Sequence, residues 1–291
     1  EGSSIMQERS HAFAMKSQIW LLDPRPNLPS ITDAVRHGFE LSEASNTPVM
    51  LQVRIRCCHV HGAFTARDNV PPPLTVREAL SKPQRRTDRI VLPPASFLHE
   101  KEKVEKRWPA ALDYIRQNGL NERFGPEDGR VGIVLQGGMY NGVIRALQRL
   151  GLADIHGDSA VPLYVLNVTY PIVEDEVLDF CAGKDAVLVV EEGQPDYLEQ
   201  ALRAVLHKAA QTGAAQTGAA QQGEAPRVAL RGKGHLPMAG EYTGRVMLEG
   251  VEAFLRETAP ELLPDSARAP NEPADAAPVP DLSKTVPARP P

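Results

Sequence analysis

The chain has few cysteines, few aromatic side chains and no long apolar run. Three cysteines among 291 residues exclude a disulfide scaffold and the four thiolates that an iron–sulfur cluster normally takes, and they favour a reducing cytoplasm. The apolar runs are far shorter than the roughly 20 residues that a membrane-spanning helix needs, and no signal segment opens the sequence. Aromatic residues make up 5% and the formal net charge is -5, so neither a nucleic acid nor a membrane is an expected partner.

Composition and apolar patterning divide the chain into four expected parts. Residues 1–56 end in a helix and a strand, as at the end of an α/β domain, and residues 57–125 form a connector. Residues 126–256 form a compact α/β domain with a low-complexity loop at 209–225, and residues 257–291 form a proline- and alanine-rich linker. Because Glu1 stands first and the linker stands last, we expect an internal piece of a longer polypeptide.

In the first part we expect Ser30 to cap a helix, and the segment before it to be irregular. Ile31, Val35 and Phe39 recur every four residues and predict one apolar face on that helix. A strand is expected over residues 49–55.

The compact domain carries three short apolar runs, at 131–135, 163–166 and 186–190. Runs without alternation are typical of strands buried on both faces of a parallel sheet. A fourth strand is expected near residues 228–230. Helical patterns separate the runs, and Pro195 is expected at the first position of one of these helices.

The connector is predicted to contain one helix near residues 97–118, with residues 100–103 on its solvent side. A basic cluster precedes this helix, formed by Lys82, Arg85, Arg86 and Arg89. Acidic residues follow closely and aromatic residues are few, so the cluster favours a solvated face or an interdomain contact over nucleic-acid binding.

Polar residues follow the apolar runs at the carboxyl ends of the strands, where open parallel sheets bind ligands. Gly137 and Gly138 follow one strand and precede a helix, so their amides have the placement of an anion site. They form neither a complete dinucleotide fingerprint nor a phosphate-binding loop with its lysine, and a tight strand-to-helix turn is the favoured interpretation. Glu191 and Glu192 follow another strand and point opposite ways, which favours helix capping or a subunit contact over a paired acid and base.

Other candidates carry weaker signals. Cys57, Cys58, His59 and His61 are of metal-ligating types, but no second ligand pair stands at a zinc-finger spacing, so we expect no metal site. His235 lies in a glycine-rich segment that predicts a structured turn, and Thr243 is placed to cap the following helix. Ser3 and Ser4 lie in a polar opening segment with no triad partner that the sequence reveals.

Several stretches resemble the large subunit of indolepyruvate:ferredoxin oxidoreductase, in the family of thiamine-diphosphate-dependent 2-oxoacid oxidoreductases. They are GRVGIVLQGGMYNGVIRALQRLGL, PLYVLNVTYPIVEDEVLDFCAGKDAVLVVEEGQPDYLEQ, LPMAGEYT, GSSIMQERSHAFAM and FELSEASNTPVMLQVRIRCCH. The resemblance implies that residues 1–56 are the end of a pyrimidine-binding domain. It implies a transketolase C-terminal-like α/β domain at 126–256.

The resemblance also implies an activity: oxidative decarboxylation of aryl 2-oxoacids such as indolepyruvate to acyl-coenzyme A, with ferredoxin as electron acceptor. Thiamine diphosphate, magnesium and [4Fe–4S] clusters are the implied cofactors of the full enzyme. The implied partners are the remaining domains of the subunit, a smaller second subunit, ferredoxin, the 2-oxoacid and coenzyme A.

The present residues carry no Gly-Asp-Gly motif for diphosphate and magnesium, so no cofactor is expected to bind their own motifs. Catalytic residues stay unassigned. Ser3, Ser4 and the turn at residues 57–61 are candidates for lying near cofactor or substrate. We expect the segment alone to be inactive and to serve packing and interface formation. The rival hypothesis is a standalone α/β module that binds a nucleotide or small molecule beside Gly137 and Gly138.

Overall fold

A computed structural model describes residues 10–71, 74–83, 87, 90–217 and 228–264. Its helices are α1 (Ser10–Ser17), α2 (Leu28–Ser45), α3 (Val76–Ser81), α4 (Ala95–Glu102), α5 (Trp108–Gln117), α6 (Tyr140–Arg149), α7 (Glu174–Cys181), α8 (Tyr197–Thr217) and α9 (Gly244–Thr258). Its strands are β1 (Trp20–Leu22), β2 (Val49–Leu51), β3 (Glu122–Phe124), β4 (Val131–Gln136), β5 (Leu163–Leu166), β6 (Val168–Tyr170), β7 (Ala186–Val190) and β8 (Ala229–Arg231).

A five-stranded sheet in the order β3-β5-β4-β7-β8 organises the second half of the described chain. Strands β5, β4, β7 and β8 are parallel neighbours, and β3 is antiparallel to β5. Helices cover both faces: α6 and α9 pack on one side, and α7 and α8 on the other. Every residue of β4, β5 and β7 is buried, which is why these strands lack alternation. The predicted α/β class with a parallel sheet is therefore confirmed, as is the transketolase C-terminal-like domain.

A second sheet joins the amino-terminal residues to this domain. Its order is β2-β1-β6, with β1 parallel to β2 and antiparallel to β6. Helices α2 and α5 contribute Leu41, Ala111 and Ile115 to its core, where they meet Trp20 and Val168. Because β6 directly follows β5 of the large sheet, the two sheets are tied together by one short stretch of chain.

The amino-terminal part differs from expectation at the start of its helix. Helix α2 begins at Leu28, and Asn27 caps it: the Asn27 side chain accepts a 2.9 Å hydrogen bond from the Ser30 amide. The prediction of a Ser30 cap is therefore wrong, since Ser30 already lies in the first turn. The predicted apolar face is also wrong, because Val35 and Phe39 are 44% and 74% exposed.

The adjoining strand is shorter than predicted. Strand β2 ends at Leu51, and Ile55–His59 forms a turn of 3-10 helix. The chain leaves the strand here as the Arg54 side chain enters a buried cluster of carboxylates, described below. The segment before Ser30, expected to be irregular, contains α1 and β1; β1 was missed because its partners lie in β2 and β6, far along the chain.

The predicted helix near residues 97–118 is confirmed as α4, a π-helical turn (Lys103–Arg107) and α5 in succession. The assignment of Lys103 to its solvent side is wrong. The Lys103 ammonium lies 3.8 Å from the Trp20 ring centroid and donates to the carbonyl oxygen of Gln18 and the Thr47 hydroxyl. This burial lowers the pKa of Lys103 to about 8.

Two details around α8 also differ. Pro195 follows a cis peptide bond and precedes the first residue of α8, Tyr197, so it is not the first helical residue. At its other end α8 reaches Thr217, so the first part of the expected loop is helical, as its alanine-rich composition permits. The rest of that loop, residues 218–225, lies outside the described residues, as do residues 265–291 of the expected linker.

Candidate functional site

The polar strand exits of the large sheet meet at a buried ionic cluster centred on Arg54. Its guanidinium donates to Asp23 at 2.6 Å (Nη2 to Oδ2) and 3.3 Å (Nε to Oδ1). It also donates to Glu192 Oε2 at 2.8 Å and to Gln136 Oε1 at 2.9 Å. The side chains of Arg54, Asp23 and Glu192 are 1%, 2% and 0% exposed. We call these four residues the Arg54 cluster.

Two further hydrogen bonds hold the side chains of Glu192 and Gln136 in place. The second carboxylate oxygen of Glu192 accepts a 2.8 Å hydrogen bond from the Tyr242 amide. Gln136 Oε1 accepts a further bond from the Glu192 amide at 3.0 Å. A buried arginine between two carboxylates is tolerated only when the charges are paired and hydrogen-bonded in this way. The cluster thus fastens the segments that follow β1 and β2 to the ends of β4 and β7.

Gly137 and Gly138 sit against this cluster. A Cβ at Gly137 would lie 2.0 Å from the Asp23 carbonyl oxygen, and a Cβ at Gly138 would lie 2.3 Å from Arg54 Nε. The two glycines form a turn of 3-10 helix, Gly137–Met139, so the interpretation as a tight turn is confirmed. Glycine is needed at both positions because the Asp23 backbone and the Arg54 side chain lie too close to leave room for a Cβ atom. Asp23 and Arg54 therefore fill the crevice beside the two glycines.

Glu191 and Glu192 point in opposite directions, as predicted. Glu191 Oε2 accepts backbone hydrogen bonds from Leu198 at 2.9 Å and Glu199 at 3.3 Å, both in the first turn of α8. The predicted capping role is confirmed for Glu191. Burial raises the pKa of Glu191 to about 7, although the two amides favour its charged form.

Lys233 completes the polar surroundings of Glu191. Its ammonium donates to the backbone carbonyl oxygens of Glu191 and Gly193, and to the Tyr242 hydroxyl at 2.8 Å. Burial lowers the pKa of Lys233 and raises that of Tyr242. Sequence reasoning missed Asp23, Arg54, Lys233 and Tyr242. For Asp23 and Arg54 the available signal was a charged residue near an apolar run, and Lys233 and Tyr242 lack even that signal.

A cavity of only about 10 Å³ lies beside these groups, lined by His11, Gln136, Glu191, Glu192, Gln194, Pro195 and Tyr197. His11 is 8% exposed and stacks on Tyr197 with 5.4 Å between ring centroids. Burial lowers the pKa of His11 to about 4, so its ring is neutral at physiological pH. The cavity is too small for a substrate or a cofactor; it approaches the volume of one water molecule.

A wider pocket of about 630 Å³ opens where β1 ends and α2 begins. Arg25 lies at its wall, paired with Glu122 through two hydrogen bonds of 2.6 Å. The Arg25 guanidinium also lies 4.9 Å and 5.0 Å from the ring centroids of Phe124 and Tyr140. Asn167, at a predicted strand exit, accepts a 3.0 Å bond from the Arg25 amide. The carboxylate of Glu122 balances the positive charge of Arg25, and these contacts together hold the Arg25 side chain in place at the wall of the pocket.

The remaining predicted candidates are not brought together. Cys57 is buried and Cys58 exposed, and the described residues contain no group of three or more histidine, cysteine or acidic side chains arranged to hold a metal ion. His235 lies in a turn, where its ring pairs with Glu257 at 2.8 Å, and Thr243 caps α9 as predicted. Ser3 and Ser4 lie outside the described residues.

Within the described ranges, no helix is both long enough and apolar enough to cross a bilayer.

Comparison with known proteins identifies relatives of the chain. Residues 121–234, which contain β3 to β8, match the family model of the indolepyruvate oxidoreductase domain. The chain is similar to the indolepyruvate oxidoreductase subunit IorA of Methanothermobacter marburgensis, with 31% identity over 65% of this chain and 29% of that protein. The chain is also similar to the IorA subunit of Methanothermobacter thermautotrophicus, with 29% identity over 71% of this chain and 31% of that protein. With the IorA subunit of Pyrococcus abyssi the identity is 27%, over 87% of this chain and 36% of that protein.

The chain spans about a third of the length of the curated relatives it matches. Residues 121–234, which match the family model, include strands β4 and β7 and two of the four residues of the Arg54 cluster, Gln136 and Glu192. These findings identify the indolepyruvate oxidoreductase subunits as relatives of this chain, and the α/β fold agrees with that similarity.

Proposed function

We propose that this chain is part of an enzyme that oxidatively decarboxylates aryl 2-oxoacids, such as indolepyruvate, to acyl-coenzyme A with ferredoxin as electron acceptor. Within that enzyme, we assign this part of the subunit a structural and interface-forming role. The Arg54 cluster is the observation that carries this role: side chains of the protein itself fill the sheet edge where an open α/β domain would bind a ligand.

The described residues do not fit the cofactors that the activity requires. Beside the ends of β4 and β7 the cavity measures only about 10 Å³. In the pocket of about 630 Å³ beside Asn167, the Arg25 guanidinium is already paired with Glu122, and no metal-holding group occurs among the described side chains. Thiamine diphosphate, magnesium and [4Fe–4S] clusters therefore belong, in our proposal, to other parts of the cytoplasmic enzyme. We propose that those parts include the remaining domains of the subunit and a smaller second subunit.

The test uses the complete subunit purified with the smaller subunit, and this chain by itself. We expect the complex to reduce ferredoxin only when indolepyruvate and coenzyme A are both present, and this chain to be inactive. A complex that reduces ferredoxin with no aryl 2-oxoacid would refute the proposed reaction. Turnover by this chain alone would refute its structural role.

A further inference from the structure

A further pocket, of about 280 Å³, lies at the edge of the large sheet opposite to the Arg54 cluster, where β4, β5 and β7 begin. Its lining includes Arg123, Glu127, Asp179, Phe180 and Lys184, and we call it the Lys184 pocket. Lys184 stands two residues before β7 and is 5% exposed. A nearly buried charge is stable only when it is paired and hydrogen-bonded, so the contacts of this ammonium decide what the pocket can bind.

The ammonium of Lys184 has an incomplete set of partners. It donates one hydrogen bond, of 3.3 Å, to the carbonyl oxygen of Glu127, and it lies 4.8 Å from the centroid of the Phe180 ring. Both of these residues line the pocket, so the ammonium stands at the pocket wall. Among the described residues no carboxylate lies within ion-pair distance of it, and burial lowers the pKa of Lys184. An ammonium has three protons to donate, so two are left for a ligand.

A glycine in the neighbouring strand makes room for this lysine. Gly132 interrupts the apolar run of β4, and a Cβ there would lie 3.0 Å from Lys184 Cε and 2.9 Å from Phe180 Cζ. Both distances are shorter than the separation at which carbon atoms pack, so a side chain at this position would displace the lysine stem. The space that the Lys184 side chain occupies therefore depends on glycine at position 132.

The other charges of the pocket select the kind of ligand. Arg123 stands at the wall, but it is already paired with Asp179 at 2.6 Å. In the described lining, Lys184 is therefore the cation that is left for an anion. Asp179 and Glu127 line the same pocket, and their negative charges would repel a doubly charged phosphate more strongly than a singly charged carboxylate. The small volume also favours a small ligand.

We propose that the Lys184 pocket binds a small monocarboxylate, whose oxygens accept hydrogen bonds from the Lys184 ammonium. Such charge-assisted hydrogen bonds are stronger than neutral ones, and they would supply the counter-charge that the buried ammonium lacks. The site is independent of the proposed activity, because it uses no residue of the Arg54 cluster and lies at the opposite edge of the sheet.

Acetate binding to the complete subunit, purified with the smaller subunit, tests the proposal by saturation-transfer difference NMR at fixed ionic strength. We expect Lys184→Met to raise the dissociation constant of acetate by about tenfold or more, because methionine fills the space of the stem but donates no hydrogen bond. Lys101→Met is the matched control: it removes the ammonium of a lysine whose side chain is 54% exposed, and it should leave the constant unchanged. An unchanged constant in Lys184→Met, or no acetate signal in the wild type, would overturn the proposal.

A second pair of variants tests the charge of the pocket wall without changing a buried residue. Asp179→Asn removes a 72% exposed carboxylate from the lining, so acetate should bind several-fold more tightly. Asp175→Asn removes a 61% exposed carboxylate from the same helix but outside the lining, and it should leave the constant unchanged. Equal effects of these two variants would contradict binding beside Asp179. Tighter binding of phosphate dianion than of acetate by the wild type would contradict the assignment of a monocarboxylate.

Discussion

Replacing Arg54 with methionine tests whether the buried ionic cluster holds the two halves of the described chain together. Methionine keeps much of the side-chain length but removes the charge and every guanidinium hydrogen bond. Asp23 and Glu192 are 2% and 0% exposed, so the variant leaves two carboxylates buried without their cation. Removing one partner of a buried pair costs about 3–5 kcal/mol of unfolding free energy.

Arg116→Met is the matched control. Arg116 also bridges two carboxylates, Asp113 at 3.2 Å and Asp175 at 2.8 Å, but its side chain is 35% exposed and theirs exceed 60%. Water screens these charges before and after the change, so we expect a loss below about 1 kcal/mol. The two variants remove the same kind of side chain, and they differ in burial.

Urea unfolding provides the assay. Both tryptophans of the chain, Trp20 and Trp108, lie at the three-stranded sheet, so tryptophan fluorescence reports the amino-terminal part. Far-ultraviolet circular dichroism reports all helices and strands. We expect coincident transitions in the wild type, and an earlier fluorescence transition in Arg54→Met because the amino-terminal part loses its fastening.

Adding Asp23→Asn and Glu192→Gln to Arg54→Met removes the uncompensated charges. We expect this triple variant to recover part of the lost stability, since neutral amides are cheaper to bury than carboxylates. The reasoning would be refuted if Arg54→Met lost no more stability than Arg116→Met, or if its two transitions stayed coincident.

Three further predictions follow from single contacts. Burial raises the pKa of Glu191 to about 7, above its unfolded value, so the folded state binds a proton that the unfolded state has lost. The free energy of unfolding of the wild type should therefore fall relative to that of Glu191→Gln as pH rises from about 4.5 to 7, by at most about 1.4 kcal/mol per pH unit in chemical denaturation. A parallel pH dependence in both proteins would contradict this. Gly138→Ala should lower the free energy of unfolding by about 1–3 kcal/mol, since its Cβ would meet Arg54 Nε at 2.3 Å. Gly142→Ala is the control: it lies in a helix and its Cβ would make an ordinary 3.6 Å contact with Met247, so thermal unfolding should show no loss of stability or a small gain. Asn27→Ala should lower the free energy of unfolding by about 1 kcal/mol because Asn27 caps α2, and Ser30→Ala should lower it by less than about 0.5 kcal/mol. A larger loss for Ser30→Ala than for Asn27→Ala would show that Ser30 is the cap instead.

Much of the large sheet could be predicted because its signal is local. Strands β5 and β7 lie where their unbroken apolar runs predicted them, and the helices α6 and α9 follow the predicted periodicity. Each apolar pattern is complete within its own segment, so it can be recognised although the neighbours that bury these side chains are distant in sequence. The domain boundaries proposed from composition stay predictions.

The amino-terminal part was harder to predict because its partners are remote. Strand β1 has three residues, and it is a strand only because β2 and β6 pair with it. Arg54 stands at a polar position of the predicted strand, where its sequence context indicates a solvent-facing side chain. Only the pairing of β1 with both β2 and β6 places that guanidinium among Asp23, Gln136 and Glu192.

The sequence by itself determined the α/β class, the parallel strands, the polar strand exits and the family resemblance, since each rests on residues near one another along the chain. Only the tertiary structure decided that those exits close on an arginine rather than open to a ligand. The reason is physical: a buried charge is stable only beside its counter-charges, and here they come from two separate strand ends, those of β1 and β7.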